Sequence, residues 1–398
     1  MNFITKSIIC SEKLAIRCDM KNIEEIQSNF PVVKNLIYLD HAAVAPIHNQ
    51  SMKILDEYLT YFLNFGIKDY SIWAEKIEEI RLKFAEFIGA DPYEIAFIKN
   101  TSAGLSAFAN GIKYNQGDNV IIPDIEFPSN VYTWMNLERF GVKMKFLKTR
   151  AGMVDLNDLE NLIDNKTRVV SVSWVEFSSG FRNDLAAISE LCKRKSQQYG
   201  QKIYFCVDAI QGLGALKLDL REIEIDFLAA DGHKWFLALE GAGILYCNKK
   251  ILNDIYPTYV GWKSVKNPLN FSDIHFDLQE SAAKFEEGSM NVAGILSLNA
   301  SLDLFNKYGI ENIEKRVLEL TKFAAELLQA KNIEVTSSLK EKHRSGILTF
   351  KTDNIEKDYL KLLASKVQLS KRDSVLRISP HFYNTEEEIE RFVEILAG

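Results

Sequence analysis

The strongest constraint on the fold is a series of short apolar segments that alternate, for most of their length, with helical segments. Seven such segments fall between residues 95 and 247. They are residues 95–100, 118–127, 142–147, 167–175, 202–208, 227–230 and 244–247. Strands that alternate with helices in this way favour a parallel sheet with helices on both faces. In such a sheet, ligands bind beyond the carboxyl ends of the strands.

Side chains with useful chemistry follow several of these strand ends. They include Thr101, Phe127, Asp208 and Lys234. Because the carboxyl ends of parallel strands meet at one edge of the sheet, we expect these four side chains to lie close together. Their coincidence indicates a binding site at that edge more strongly than any single motif does.

Lys234 is the candidate reactive group. It lies beside Trp235 and Phe236, and the segment VDAIQG at 207–212 places Asp208 at a preceding strand end. A lysine attacks a carbonyl only after losing its proton, and partial burial favours that loss. A nearby acid suits the pyridinium nitrogen of pyridoxal phosphate, which is an electron sink while protonated. The alternatives are a solvated loop lysine and a helix-capping aspartate.

The segment at 101–112 begins a helix with two hydroxyl side chains, Thr101 and Ser102, in its first turn. Such residues are typical of helix N-caps. Free backbone N–H groups, the helix dipole and hydroxyl donors also suit an anion. A plain capped helix is at least as common for this motif taken alone.

Composition excludes several classes of function. The 398 residues are 47% hydrophobic and carry a net charge of -6, so nothing favours a nucleic-acid or anionic-membrane partner. No apolar run is long enough to span a bilayer, and residues 1–19 lack the apolar core expected of a signal peptide. The five cysteines show no metal-ligand or CxxC spacing, which predicts no metal site and favours a reducing, cytoplasmic compartment.

The sequence pattern changes after residue 250, where a loop-rich, aromatic segment at 256–276 and a glycine turn at 284–291 precede a long helical region that runs to residue 330. Short strands and helices follow, as in an α+β unit, and we place the domain boundary near residue 285. We therefore expect a large α/β domain at 37–284 and a smaller α+β domain at 285–398. Residues 1–36 are expected to form an extension and an arm that packs on the small domain.

Several motifs together resemble the class V aminotransferases, a group of fold-type I pyridoxal-phosphate enzymes. These motifs are YLDHAAVAP at 38–46, NTSAGL at 100–105, EFPSNV at 126–131, VDAIQG at 207–212, ADGHKW at 230–235, FEEGSMN at 285–291 and RISPHFYNTEEEIERF at 377–392. The branch with cysteine desulfurases, selenocysteine lyases and isopenicillin-N-epimerase-like proteins is the most similar. The resemblance implies a homodimer with its active site at the subunit interface.

The resemblance also implies roles around the cofactor ring. Lys234 matches the lysine that forms a Schiff base with pyridoxal 5′-phosphate, and Asp208 the acid that pairs with the pyridine nitrogen. Gln211 matches the amide that hydrogen-bonds the phenolic oxygen. Phe127 stands where desulfurases carry a ring-stacking histidine, so stacking is kept while acid–base chemistry is lost. Taken alone, Phe127 is equally compatible with a core aromatic.

At the phosphate end, the resemblance implies four contacts. Thr101, Ser102 and His233 match phosphate-binding positions in the same chain. Ser289 matches a hydroxyl that the neighbouring subunit contributes. Asp231 departs from this pattern because the family usually has a serine there, and a carboxylate would repel the phosphate dianion. We therefore expect Asp231 to turn away or to accept a backbone N–H.

At the substrate end, Arg377 matches the arginine that binds the substrate α-carboxylate; the alternative is a surface salt bridge. His41 is a candidate for lining the substrate pocket, and a structural histidine is the alternative. Phe177 replaces a common asparagine. The interval 365–377 contains no cysteine, although desulfurases use one on a loop there, so persulfide transfer by the usual route is disfavoured.

The sequence leaves the reaction open. The resemblance implies a small α-amino acid as substrate, with Lys234 as the general base at its α-carbon. An aminotransferase, a desulfurase-like C–S lyase and an epimerase of the isopenicillin N type all use the same lysine and aspartate. A non-catalytic protein that binds pyridoxal phosphate is the alternative from another class.

Overall fold

The computed structural model describes residues 22–398, so the predicted extension at residues 1–19 lies outside the described residues. The strands are β1 (Ile37–Tyr38), β2 (Ile95–Ile98), β3 (Asn119–Pro123), β4 (Lys143–Leu147), β5 (Thr167–Ser173), β6 (Tyr204–Asp208), β7 (Phe227–Asp231), β8 (Gly243–Cys247), β9 (Glu334–Val335), β10 (Leu348–Lys351), β11 (Val367–Gln368), β12 (Ser370–Arg372) and β13 (Val375–Ile378). The helices are α1 (Ile23–Gln27), α2 (Asn49–Phe65), α3 (Tyr70–Ile88), α4 (Thr101–Gly111), α5 (Ser129–Met135), α6 (Leu156–Leu162), α7 (Leu185–Tyr199), α8 (Val292–Tyr308), α9 (Ile310–Ala330), α10 (Ile355–Ala364) and α11 (Glu386–Ala397).

A seven-stranded sheet forms the centre of the molecule, in the order β2-β8-β7-β6-β5-β3-β4. Strands β3 to β7 run parallel, whereas β8 runs antiparallel to both β2 and β7. No helix connects β7 to β8, and a strand that returns without a crossover must pair antiparallel. The mostly parallel sheet expected from the sequence is confirmed.

The carboxyl ends of the central strands supply the candidate site. Strand β6 ends at Asp208 and β7 ends at Asp231, three residues before Lys234. All five residues of β6 and of β7 are buried, as expected for the middle of a sheet covered on both faces. The strand ends therefore fix these side chains relative to one another.

The C-terminal part has its own antiparallel sheet, in the order β12-β13-β10-β9. Its core includes Leu320 and Leu328 of α9 together with Ile389 and Phe392 of α11. This arrangement matches the predicted α+β unit.

The chain passes from the core of the large sheet to the core of the C-terminal sheet later than residue 285, the predicted domain boundary. Helix α8 packs on α2 and α3, and its Leu298 and Phe305 belong to the core of the large sheet. Gly309, with φ +82°, separates α8 from α9, and the change of core falls within α9, between Val317 and Leu320. Helix α8 is buried along most of its length, so its own pattern does not indicate which unit it joins.

The N-terminal arm reaches the C-terminal unit. Strand β1 pairs in parallel with β11, and the Phe30 ring stacks on Tyr383 with the ring centres 3.9 Å apart. The described part of the arm thus contacts the C-terminal unit. Among residues 22–398, no helix has both the length and the apolar character needed to cross a bilayer.

Candidate active site

A cavity of about 360 Å³ lies at the carboxyl ends of the central strands. Eight of the ten side chains predicted for the site line it: Thr101, Ser102, Phe127, Asp208, Gln211, His233, Lys234 and Arg377. They come from five separate stretches of the chain, so the fold itself brings them together.

Lys234 and Asp208 shift each other's protonation at the base of this cavity. Burial lowers the pKa of Lys234 to about 8, against the opposing effect of the Asp208 carboxylate; Arg377 and Arg372 add to the lowering. Burial raises the pKa of Asp208 to about 6, partly offset by the Ile210 N–H at 3.0 Å and by Lys234. A desolvated lysine with a depressed pKa is suited to nucleophilic attack near neutral pH.

The helix N-terminus at α4 is capped differently from the sequence prediction. The side chain of Asn100, and not a hydroxyl, accepts the Ala103 N–H at 2.9 Å. Thr101 Oγ1 accepts the Asp231 N–H at 3.0 Å, so its own proton stays free to be donated. Ser102 donates to the Ser129 hydroxyl at 2.7 Å. Neither hydroxyl is therefore consumed as a cap, and the Thr101 hydroxyl has its proton free to donate to an anion.

Asp231 is turned toward donors of its own loop, as expected. Its carboxylate accepts the Gly232 N–H at 2.7 Å and lies 3.0 Å from Nδ1 of His233. These contacts absorb the negative charge that would otherwise face a phosphate. His233 also lines the cavity.

Gln211 is held at both ends of its amide. Its Oε1 accepts the Trp235 indole N–H at 3.0 Å, and its Nε2 donates to the Ala42 carbonyl at 3.0 Å. The second Nε2 proton remains for a ligand. Trp235, which follows Lys234 directly, thereby fixes the orientation of the amide.

Two phenylalanines form an aromatic wall. The Phe127 and Phe177 rings meet edge to face, with centres 5.2 Å apart, and Phe127 is 42% exposed. Both line the cavity. An exposed ring face above a desolvated lysine fits a flat heteroaromatic ring.

Arg377 is oriented by three groups around its guanidinium. Nη1 donates to the Phe177 carbonyl at 2.8 Å, Nη2 donates to Ser370 Oγ at 3.3 Å, and Nη2 lies 3.6 Å from Oδ1 of Asp40. Burial and the neighbouring Arg372 lower its pKa to about 10. Arg377 is 1% exposed, so the surface salt bridge considered above is excluded.

Arg372 is a cavity residue that the sequence analysis missed. It lines the same cavity, and its buried Nε has no hydrogen-bond partner within residues 22–398. Arg372 and Ser370 lie two residues apart on β12 and so share one face of the strand. That alternation was the available signal, but it required knowing that 370–378 forms a hairpin.

The substrate-pocket role considered for His41 is not supported. Its ring is fully buried, with Nδ1 2.8 Å from the Ser379 carbonyl and Nε2 2.7 Å from the Tyr383 hydroxyl. Burial and the nearby His381 hold its pKa well below the usual range. His41 is thus the structural histidine of the alternative, and its neighbours Ala42 and Ala43 line the cavity instead.

Ser289 lies away from the cavity of its own chain. It lines a second cavity, together with Lys99, Gly241 and Glu287. The resemblance assigned Ser289 to the site of a neighbouring subunit, so its role stays a prediction.

The cysteines of the described chain are all buried. Cys192, Cys206 and Cys247 are free thiols that are at most 2% exposed. Burial raises the pKa of each thiol above its ordinary value. Such thiols are poor nucleophiles. Cys10 and Cys18 lie outside the described residues.

The residues of the cavity fit pyridoxal phosphate. A buried acid, Asp208, lies at its base, the lysine is desolvated, and the exposed Phe127 face offers a stacking surface. Hydroxyl donors at the N-terminus of α4 suit the phosphate, and Arg377 suits a carboxylate. Aldehyde, ring nitrogen and phosphate thus each have a matching group.

Comparisons with known proteins agree with this geometry. Residues 37–392 match the family described as Aminotransferase class-V. A probable cysteine desulfurase of Methanothermobacter thermautotrophicus is 31% identical over 94% of this chain and 97% of its own length. A cysteine desulfurase of Wigglesworthia glossinidia brevipalpis is 30% identical over 94% and 96%.

Solved structures show the same fold. The cystine C–S lyase C-DES, in complex with its product cysteine persulfide, has a TM-score of 0.87 and 25% identity, and covers 92% of this chain and 99% of its own. A C-DES variant with glycine linked to its pyridoxal-phosphate cofactor has a TM-score of 0.88 and 24% identity over 93% and 98%. The chain therefore belongs to the class V aminotransferase family and is an enzyme that depends on pyridoxal 5′-phosphate.

Proposed function

We propose that this protein is a C–S lyase that acts on cysteine or its disulfide and releases the sulfur into solution. The observation that carries the proposal is a site with a reactive lysine and a carboxylate-binding arginine, in a chain whose described cysteines are all buried. The interval 365–377, where a desulfurase cysteine was expected, forms strands β11 to β13 without one. Relatives named cysteine desulfurase and cystine C–S lyase support sulfur amino acids as substrates.

The chain's own residues account for the steps at the substrate. Arg377 binds the α-carboxylate and thereby orients the bond from the α-carbon to hydrogen toward Lys234. Pyridoxal phosphate, when bound, supplies an electron sink for the negative charge that develops at the α-carbon. Lys234 Nζ removes the α-proton, and Asp208 keeps a proton on the ring nitrogen position. Phe127 and Phe177 exclude water from that side.

The proposed reaction balances without a protein thiol. L-cysteine and water give pyruvate, ammonia and hydrogen sulfide: the C–S bond breaks, and sulfur leaves with the electron pair and takes up a proton. The three-carbon enamine that is released then hydrolyses to pyruvate and ammonia. No external oxidant or reductant is needed.

Product analysis tests this proposal. The purified enzyme, loaded with pyridoxal phosphate, is incubated with L-cysteine or L-cystine, and pyruvate, alanine and sulfide are measured. We expect pyruvate from wild type and from a Cys10→Ala/Cys18→Ala variant, and none from Lys234→Ala. Alanine with sulfide only after addition of a thiol would indicate a desulfurase. Transfer of the amino group to an added keto acid, without sulfide, would indicate an aminotransferase.

The active form is proposed to be a homodimer with shared sites. The segment 256–276 exposes large apolar side chains, among them Tyr259, Phe271 and Ile274, which are 68%, 68% and 85% exposed. Apolar exposure of this extent is typical of an interface. The position of Ser289, outside its own chain's Lys234 cavity, is what a contribution to the partner's phosphate would require.

Hybrid dimers test this arrangement. Lys234→Ala and Ser289→Asp should each inactivate the site to which the changed residue contributes. If the sites are shared, a hybrid dimer of the two variants carries both changes in one site and leaves the other site unchanged. Unfolding and refolding an equal mixture should restore about a quarter of wild-type activity if subunits assort randomly. A mixture as inactive as its two parents would contradict the shared site.

The free thiols support the cytoplasm as the compartment, which cell fractionation would test.

A further inference from the structure

Glu176 is a buried acid that directly precedes the cavity-lining Phe177, and the mechanism does not use it. It is 0% exposed and begins the turn 176–181. Its N–H donates to the Phe181 carbonyl at 3.0 Å, and its carbonyl accepts the Gly180 N–H at 2.8 Å. The turn presents the next residue, Phe177, to the cavity.

Phe177 connects this turn to both ends of the site. Its carbonyl accepts the Nη1–H of Arg377 at 2.8 Å, and its ring meets the Phe127 ring at 5.2 Å. A shift of Phe177 would therefore move the substrate-binding guanidinium and the stacking ring together. Any contact that holds the turn 176–181 in place therefore also holds the guanidinium and the stacking ring in place.

The Glu176 side chain is tied to a second buried acid, Glu126, which directly precedes Phe127. Asn183 Nδ2 donates to Glu176 Oε1 at 2.8 Å and to the Ser173 carbonyl at 2.8 Å. Ser173 donates its N–H and its hydroxyl to Glu126, each at 2.6 Å. Both phenylalanines are thus preceded by acids that share one hydrogen-bonded brace.

The charges around Glu176 disfavour its ionised form. The groups that act on it are the carboxyls of Glu126, Asp208 and Asp124, and the amide of Asn183. Its buried Oε2 has no hydrogen-bond partner among residues 22–398. Burial first, and then these neighbouring acids, hold the pKa of Glu176 well above the usual range. A carboxylate is much more costly in such a place than a protonated carboxyl.

We propose that Glu176 is a positioning residue, which in its neutral form fixes the turn 176–181 and so sets Phe177, Arg377 and the Phe127 ring for substrate binding. The effect on the substrate rests on the proposed function; the effect on the turn does not. If the neutral form of Glu176 holds the turn, glutamine at this position should preserve substrate binding. A residue that lacks the shape of the carboxyl group should not.

Steady-state kinetics with L-cysteine test the link to the substrate. Glu176→Gln should keep KM within about twofold of wild type, whereas Glu176→Ala should raise KM about tenfold with a smaller change in kcat. Glu94→Gln, at a buried acid away from the cavity, is the control and should leave both constants unchanged. Equal rises of KM in Glu176→Gln and Glu176→Ala would overturn the proposal, because they would mean that the charge is what matters.

Unfolding of the cofactor-free protein tests the neutral brace without any turnover. Because the folded state holds the Glu176 proton more tightly than the unfolded state, wild type loses stability as pH rises above the ordinary glutamate range. The unfolding midpoint of Glu176→Gln should therefore rise relative to that of wild type as the pH is raised from about 5 through neutrality. A gap that is constant over this range would overturn the proposal, even if Glu176→Ala fails to fold. Inactivity of wild type toward every sulfur amino acid would instead remove the proposed function and leave this test standing.

Discussion

The side-chain nitrogen of Lys234 lies 5.4 Å from the centre of the Phe127 ring. The Phe127 ring thus lies over the lysine, and it is the residue that would stack on pyridoxal phosphate. Replacing Phe127 with alanine removes this stacking surface. Since an aromatic pair contributes about 0.5–1.5 kcal/mol, we expect pyridoxal phosphate to bind about three- to tenfold more weakly.

An absorbance titration of the cofactor-free protein with pyridoxal phosphate measures this loss. Phe127→His should keep most of the affinity because the imidazole retains a stacking face. Phe140→Ala, at another exposed phenylalanine, provides the control. Unchanged affinity in Phe127→Ala would show that the ring does not contact the cofactor.

The protonation of Lys234 should control how fast the cofactor attaches. With a pKa of about 8, the ammonium form dominates below that pH and the attacking free amine above it. The rate should therefore rise about tenfold per pH unit below the midpoint and level off above it. Asp208→Asn should lower the midpoint, because the carboxylate favours the ammonium form. Stopped-flow absorbance over a pH series measures both, and a midpoint near that of a free lysine would contradict the assignment.

Arg372 should affect substrates with a second carboxylate more than those with one. Arg372, whose Nε has no hydrogen-bond partner within the described part of the chain, adds a second guanidinium to a cavity that already holds Arg377. We expect Arg372→Ala to lower kcat/KM for L-cystine about tenfold more than for L-cysteine. Comparing two substrates on one variant cancels any shared effect on Lys234. Equal losses for both substrates would assign Arg372 a general electrostatic role.

A buried ion pair should contribute more to stability than its exposed counterpart on the same arginine. Arg81 donates to Glu286 at 2.6 and 3.1 Å inside the core, and to the largely exposed Glu78 at 2.8 and 2.9 Å. Removing Glu286 leaves the buried Arg81 guanidinium with only the largely exposed Glu78 as its acidic partner in this cluster, and it also leaves the Phe97 N–H without its acceptor.

We expect Glu286→Ala to lower the free energy of unfolding by about 3 kcal/mol and Glu78→Ala by about 1 kcal/mol or less. Urea denaturation of the cofactor-free protein at one fixed protein concentration measures both. Equal losses would mean that Arg81 is not desolvated by the core.

The sequence was most informative for site residues that lie at or just after the end of a strand. Asp208 and Lys234 could be located because each lies at or just after an apolar strand, and strand ends in a parallel sheet converge. Thr101 and Ser102 could be located for the same reason, although the cap itself is Asn100.

What the sequence left undetermined depends on contacts between distant segments. Arg372 and Glu176 reach the site through a hairpin and a turn whose directions are set by tertiary packing. His41 lies in a motif next to the cavity, yet its ring points toward Ser379 and Tyr383, more than 300 positions away in the sequence. Its orientation could not follow from residues 38–46 alone.

The pairing of β1 with β11, and of Asp40 with Ser379 beside it, has a consequence for how the protein is made. During synthesis, the segment that carries Lys234 and Asp208 leaves the ribosome well before Arg377 does. Non-local pairings of this kind form late because they close long loops. The residues that surround the cofactor can therefore come together on the nascent chain, whereas Arg377 joins them only after translation is nearly complete.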